Sequence, residues 1–116
     1  MGPTGARRLL RDTFRQRIWA AMRVRRVFSI GDITSDAARG DEATARDNAK
    51  RYVRVLVAAG FLTEATRRRP GTALTSNGFK MFRLSRNTGP RAPVFSKTRR
   101  MVHDPNTREV VPCTRP

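Results

Sequence analysis

The chain has 116 residues, which is enough for one folded domain with a modest core. It carries 25 Lys and Arg residues against 9 Asp and Glu, a formal net charge of +16, and 22 of the basic residues are arginine. Such an excess of cations repels itself unless a polyanion neutralises it, and nucleic acid is the polyanion that it suggests. Codon usage in a GC-rich genome also favours Arg over Lys, but it does not explain the net charge.

Several function classes are excluded by composition. Cys113 and His103 are the only residues of their kinds, so we expect no zinc site, no internal disulfide, no cofactor and no catalytic activity. Gly71 and Gly78 lack the Lys-Ser/Thr sequence of a phosphate-binding loop. The longest apolar run, residues 55–59, is too short to cross a membrane. We therefore expect a cytoplasmic protein.

The charge is unevenly distributed along the chain. Residues 1–28 carry eight basic groups and one acid, and residues 29–64 carry five basic groups and six acids. Residues 65–103 carry ten basic groups and no acid, whereas residues 104–116 are balanced. A nearly neutral middle between two basic segments predicts a folded core with a phosphate-binding periphery.

Two helices are predicted in the first third of the chain. Apolar side chains recur at helical spacing over residues 12–26, and Trp19 beside them is expected in the core. The second helix is predicted over residues 30–38, because Ser29 and Asp32 have the spacing of a capping box.

The third helix has the clearest pattern. It is predicted from Thr44 to Gly60, with a second capping box formed by Thr44 and Asp47. One face is apolar, and the opposite face carries polar and basic side chains. These are Arg46, Asn48, Lys50, Arg51 and Arg54.

Two strands are predicted after the third helix, over residues 61–66 and 79–86, joined by a long basic loop. Residues 87–116 are expected to form an extended basic arm that ends in a hairpin around the turn at residues 104–107. Residues 1–8 show no periodicity and are expected to be disordered. The folded domain is predicted over residues 9–86.

The order helix, short strand, helix, turn, helix and two-stranded wing resembles the winged helix-turn-helix family of DNA-binding proteins. Residues 49–62 carry most of the likeness, because their helix ends in Ala-Gly-Phe-Leu and leads into the wing. Residues 86–93 and 104–107 are similar to segments of small winged-helix proteins from Mu-like temperate phages. The resemblance implies an α+β fold.

The family also implies where DNA binds. The third helix would enter the major groove, with Arg46 and Asn48 reading bases. The recognition-helix candidates are Thr44, Arg46, Asn48, Lys50, Arg51 and Arg54. The wing candidates, for phosphates or the minor groove, are Arg67, Arg68 and Arg69. Additional phosphate contacts are expected from Arg83, Arg86, Arg91, Arg99 and Arg100.

Two other functions stay open at this point. Three acidic residues near the start of the third helix, Asp41, Glu42 and Asp47, repel phosphate. A protein-binding adaptor is therefore one alternative function, with residues 101–111 as its contact segment. An RNA-binding or ribonucleoprotein component is the other alternative, although Phe79 and Phe82 suit a core better than a stacking platform. The sequence predicts a monomer, or a weak dimer through the first helix.

Overall fold

The structure is a computed structural model that describes residues 13–40, 44–71 and 78–113. The predicted disordered segment, residues 1–8, lies outside these residues. The described chain is an α+β fold with three helices and two small antiparallel sheets. The elements in chain order are α1 (Phe14–Arg25), β1 (Val27–Phe28), α2 (Ile30–Ala37), α3 (Ala45–Ala58), β2 (Leu62–Glu64), β3 (Phe82–Leu84), β4 (Val94–Ser96), β5 (Met101–Asp104) and β6 (Glu109–Pro112).

The first two helices begin at side-chain caps. The Thr13 hydroxyl accepts a hydrogen bond from the backbone N–H of Gln16 at 3.1 Å and opens α1. The predicted capping box of α2 is confirmed: Ser29 Oγ accepts from the Asp32 N–H at 3.1 Å, and the Asp32 carboxylate accepts from the Ser29 N–H at 2.9 Å. These caps satisfy backbone donors that a helix start leaves without partners. Trp19 is fully buried, as expected.

The start of α3 differs from its prediction. Thr44 precedes the helix, but its side chain makes no capping hydrogen bond, so the second capping box is wrong. The physical reason is the backbone of Thr44, whose φ of −119° and ψ of 34° lie outside the extended region that a capping residue adopts. The end is as predicted: Gly60 has a φ of +87°, and the Phe61 N–H donates to the Leu56 carbonyl at 2.9 Å.

The first sheet has the strand order β1-β3-β2 and packs Phe28 and Phe82 against the helices. Its strands are shorter than predicted, but the pairing of β2 with β3 continues beyond them. The Ala65 N–H donates to the Met81 carbonyl, and Arg69 and Phe79 exchange two backbone hydrogen bonds at 2.7 and 2.9 Å. We call residues 65–71 and 78–81 the wing.

The C-terminal segment is not the extended arm that we expected. The hairpin of β5 and β6 is confirmed, and β4 joins it in a second sheet of order β4-β5-β6. Phe95, Val102 and Val111 are paired across this sheet and pack on the helical core, with Val102 fully buried. The arm folds because each of its strands presents one apolar side chain to that core, and cross-strand pairing places the three side by side.

Residues 87–93, which we call the strap, connect the two sheets and run along α1. Polar side chains of the helices bind its backbone. The contacts are Gln16 Nε2 to the Pro90 carbonyl (2.7 Å), the Ala92 N–H to Gln16 Oε1 (2.9 Å), Trp19 Nε1 to the Gly89 carbonyl (2.9 Å) and the Tyr52 hydroxyl to the Pro93 carbonyl (2.7 Å). The strap therefore fixes the second sheet to the helical core.

Candidate nucleic-acid interface

A row of three basic side chains follows one side of α3. Arg46, Lys50 and Arg54 recur at four-residue intervals, so they lie above one another along the helix, and all three are exposed. Within the described ranges, none of them has an ion-pair partner. The buried side chains Ala49, Val53 and Leu56 hold this face outward.

The wing brings two more cations to this row. A cavity of about 270 Å³ lies between the start of α2, the helix α3 and the wing, and Arg46, Lys50, Arg68 and Lys80 all line it. No acidic side chain among the described residues lines this cavity. Arg46 Nη1 is 3.6 Å from the point where Gly31 would carry a Cβ atom, so the guanidinium lies beside the first turn of α2.

A second cavity of about 280 Å³ continues along α3 toward its C-terminal half. Lys50 and Lys80 line both cavities, and Arg54 and Glu64 line only this one. Glu64 approaches Lys80 no closer than 4.0 Å, and both side chains are about half exposed, so the pair is weak. We call Arg46, Lys50, Arg54, Arg68 and Lys80, which line the two cavities, the basic groove.

Asn48 is already bonded within the protein. Its Oδ1 accepts a hydrogen bond from Arg15 Nε at 3.0 Å, and the Arg15 guanidinium lies 5.0 Å from the ring centre of Tyr52. A bidentate contact between an asparagine and adenine needs both the amide oxygen and the amide nitrogen. The contact with Arg15 therefore occupies one of the two lone pairs of the Asn48 oxygen and fixes the orientation of its amide.

The other predicted residues of α3 lie outside the basic groove. Thr44 and Arg51 share a side of the helix with Asn48 and are exposed. The six recognition-helix candidates thus divide between two sides of α3, and only one side meets the wing.

The three wing arginines have different surroundings. Arg67 and Arg68 are exposed, and Arg68 lines the basic groove. Arg69 instead donates to both carboxylate oxygens of Asp32, at 3.0 and 3.1 Å, and its guanidinium lies 5.3 Å from the ring centre of Phe79. This hydrogen bond from Arg69, opposed by partial burial, lowers the pKa of Asp32 to about 2.

The arginines that were expected to contact phosphates also differ in their surroundings. Arg86 donates to Glu109 at 2.8 Å and lies over the ring of Phe61, so its charge is already engaged. Arg91 is partly buried in the strap, where its backbone bonds to Asn106. Arg83 is exposed on the outer face of the first sheet.

The turn between β4 and β5 concentrates exposed charge. Arg99 and Arg100 lie in this turn, at residues 97–100, with Lys97, and all three are exposed. Sequence reasoning missed Lys80 and Lys97 as site residues. Both belong to the acid-free stretch, which was the available signal, but strand pairing decides that Lys80 faces α3.

Two further observations concern the described residues as a whole. They contain no group of three or more His, Cys, Asp or Glu side chains arranged to hold a metal ion. None of their helices combines the length and apolar character that a membrane crossing requires.

Comparison with protein families, curated proteins and solved structures finds no match to this chain.

Proposed function

We propose that this protein is a non-enzymatic duplex DNA-binding protein, a transcriptional or DNA-organising regulator. The observation that carries the proposal is the cavity lined by Arg46, Lys50, Arg68 and Lys80 without a described carboxylate. Cations from a helix and from a hairpin converge there, as is needed to follow a phosphate backbone while a helix lies in a groove. A place in the bacterial cytoplasm or nucleoid follows from this proposal.

The order and pairing of the elements support the proposal of a winged helix-turn-helix fold. α2 and α3 follow one another closely, and β1 pairs in the sheet with the hairpin that follows α3. In the family that the sequence resembles, this order places α3 in the major groove and the wing beside it. The major groove is about 12 Å wide, which accommodates an α-helix with its side chains.

Roles follow from position in the basic groove. Arg46 and Lys50, on the first turns of α3, are proposed to reach base edges and flanking phosphates. Arg54, Arg68 and Lys80 are proposed to contact the backbone. Asn48 is no longer our first choice for a base contact, because Arg15 holds its amide oxygen.

The test is fluorescence anisotropy of a labelled random-sequence duplex across a salt series. Binding should weaken with salt, and Arg46→Ala or Arg68→Ala should each reduce the slope of log affinity against log salt by about 0.9, because one phosphate is no longer neutralised. Arg108→Ala is the matched control, because Arg108 is an exposed arginine in the turn between β5 and β6.

Three results would contradict the proposal. No binding at 50 mM salt removes DNA as the partner. Equal reductions of slope for Arg46→Ala and Arg108→Ala mean that net charge alone drives binding and that the groove has no special role. Tighter binding to a structured RNA of equal length at equal salt assigns the protein to the ribonucleoprotein class.

One observation favours a protein-binding adaptor as the second candidate. Val94, His103 and Val110 lie side by side across the outer face of the second sheet, and the two valines are 57% and 54% exposed. Failure to bind any nucleic acid would make this face the first candidate for function.

A further inference from the structure

Arg69 links the wing to the start of α2 through several contacts. Its two terminal nitrogens donate to the two carboxylate oxygens of Asp32, and Nη2 also lies 3.4 Å from Ser29 Oγ. The guanidinium stacks on Phe79, the residue with which its own backbone is paired. A planar guanidinium suits this bidentate contact, whereas a lysine ammonium offers only a point charge.

The Asp32 carboxylate takes part both in the contact with Arg69 and in the capping box of α2. The same carboxylate closes the capping box of α2 by accepting from the Ser29 N–H. Only 16% of its side chain is exposed, against 44% for Arg69. The wing is thus bonded to the helix start that forms one wall of the basic groove.

We infer that this Arg69–Asp32 contact, the latch, holds the wing over α3, and that Arg69 is a positioning residue and not a DNA contact. The inference rests on the proposed DNA-binding function and concerns how the basic groove is assembled. Arg68 precedes Arg69 in the chain and lines the groove with Lys50 and Lys80. Fixing Arg69 therefore fixes the position from which Arg68 reaches a phosphate, and an ordered wing loses less conformational freedom on binding.

Direct binding of Arg69 to a phosphate would require the latch to open. The protein would give up two charge-assisted hydrogen bonds and the stacking on Phe79, and the shielded Asp32 carboxylate would face the DNA without its cation. Such a carboxylate repels phosphate. Arg67 and Arg68 have no ion-pair partner to give up within the described part of the chain.

Asp32→Asn gives the sharpest test, because a charge role and a positioning role of Asp32 predict opposite changes in DNA affinity. If Asp32 acts only through its charge, removing it strengthens DNA binding. If the latch positions the wing, the neutral amide holds Arg69 poorly and affinity for a random duplex falls by roughly fivefold at 100 mM salt. Glu64→Gln is the matched charge control: it removes an exposed carboxylate from the same groove without touching the latch, so it should raise affinity by relieving repulsion of phosphate.

A double-mutant cycle shows whether the latch acts through Arg68. Arg68→Ala should weaken binding by about tenfold in the wild-type chain and by less than about threefold in the Asp32→Asn chain, because an unlatched wing no longer presents Arg68. Arg69→Lys keeps the charge without the bidentate geometry, so it should weaken binding nearly as much as Arg69→Ala. A plain phosphate contact at residue 69 would instead be preserved by lysine.

The variants also need a readout that does not involve DNA. Hydrogen exchange of the Arg69 and Phe79 amides, which bond to each other's carbonyls, should accelerate in Asp32→Asn while the amides within α1 keep their rates. Unchanged exchange at both amides, or wild-type affinity of Asp32→Asn and Arg69→Lys, overturns the latch. A wild-type protein that binds no duplex overturns the proposed function itself, whatever the exchange rates show.

Discussion

The indole nitrogen of Trp19 donates to the carbonyl oxygen of Gly89 at 2.9 Å, joining the first helix to the strap that leads into the second sheet. Trp19 is fully buried and meets Phe61 edge to face, with ring centres 6.3 Å apart. A buried indole N–H requires an acceptor, and a residue 70 positions away supplies it. The strap is therefore bonded directly to a core side chain of the first helix.

Tyr52→Phe tests the energetic contribution of the strap. The Tyr52 hydroxyl donates to the Pro93 carbonyl at 2.7 Å in a buried setting, so its removal leaves an acceptor without a partner. We expect the free energy of unfolding to fall by about 1 to 2 kcal/mol, measured by urea denaturation. Thr63→Val is the control, since it removes an exposed hydroxyl contact to Ser85 and should change stability by less than about 0.5 kcal/mol. Equal effects of the two variants would mean that the strap is not bound at Pro93.

The ionisation of Tyr52 gives a second readout of the same region. It is the only tyrosine in the chain, so the ultraviolet absorbance of phenolate reports on it alone. Burial raises the pKa of its hydroxyl well above the usual value of 10.0. A group whose pKa rises on folding stabilises the native state below the unfolded pKa, and that stability is lost as pH rises. We expect no phenolate at pH 10.5 in the native protein and mostly phenolate in urea; a native midpoint near 10 would place Tyr52 in solvent.

Local features of this fold could be predicted from the sequence, and the connections between distant segments could not. The capping box of Ser29 and Asp32 depends on four consecutive residues, and the helix end at Gly60 depends on one glycine. The strap has no periodic pattern, and its partners Gln16, Trp19 and Tyr52 lie 41 to 76 residues away in the chain. Its contacts with the helices therefore could not be predicted from the sequence.

The candidate site shows the same division. Helical spacing predicted that Arg46, Lys50 and Arg54 lie on the outward side of the third helix, but it did not separate them from Asn48 and Arg51, which lie on a different side from the wing. The sequence could not separate Arg69 from Arg67 and Arg68, because the difference is made by Asp32, which folding brings to Arg69 from 37 residues away.

The latch should make stability depend on pH in the acid range. The hydrogen bond from Arg69 lowers the pKa of Asp32 from 3.8 to about 2, so the folded state favours the carboxylate. That stabilisation is fully present above the unfolded pKa near 4 and is lost as pH falls toward 2. Its size is about 1 to 2 kcal/mol after allowance for the solvent around Arg69. Urea denaturation between pH 2 and 6 should show a flatter profile for Asp32→Asn than for wild type, and Glu64→Gln should leave the wild-type profile unchanged.

The turn between β4 and β5 should contribute to nucleic-acid binding, whereas Arg86 should not. Lys97, Arg99 and Arg100 are exposed together, and replacing all three by alanine should reduce the salt slope by up to about 0.9 for each phosphate that is no longer neutralised. Arg86→Ala removes an arginine that already pairs with Glu109 and stacks on Phe61, so it should leave the slope unchanged. A slope that falls for Arg86→Ala but not for the triple variant would contradict the assignment.

Gly78 lies in the wing next to Arg69, and its backbone conformation and surroundings do not fit a residue with a side chain. Its φ is +82°, and a Cβ atom there would lie 2.7 Å from the Arg69 carbonyl oxygen. Gly60 has a similar φ of +87° but has open space around the same position. Gly60→Ala should therefore cost about 1 to 2 kcal/mol of unfolding free energy from backbone strain alone, without weakening DNA binding. Gly78→Ala adds a collision with the backbone that carries the latch, so it should weaken duplex binding as Asp32→Asn does. Equal duplex affinity of the two alanine variants, measured by anisotropy at a temperature where both are folded, would show that the wing needs no fixed geometry at Gly78.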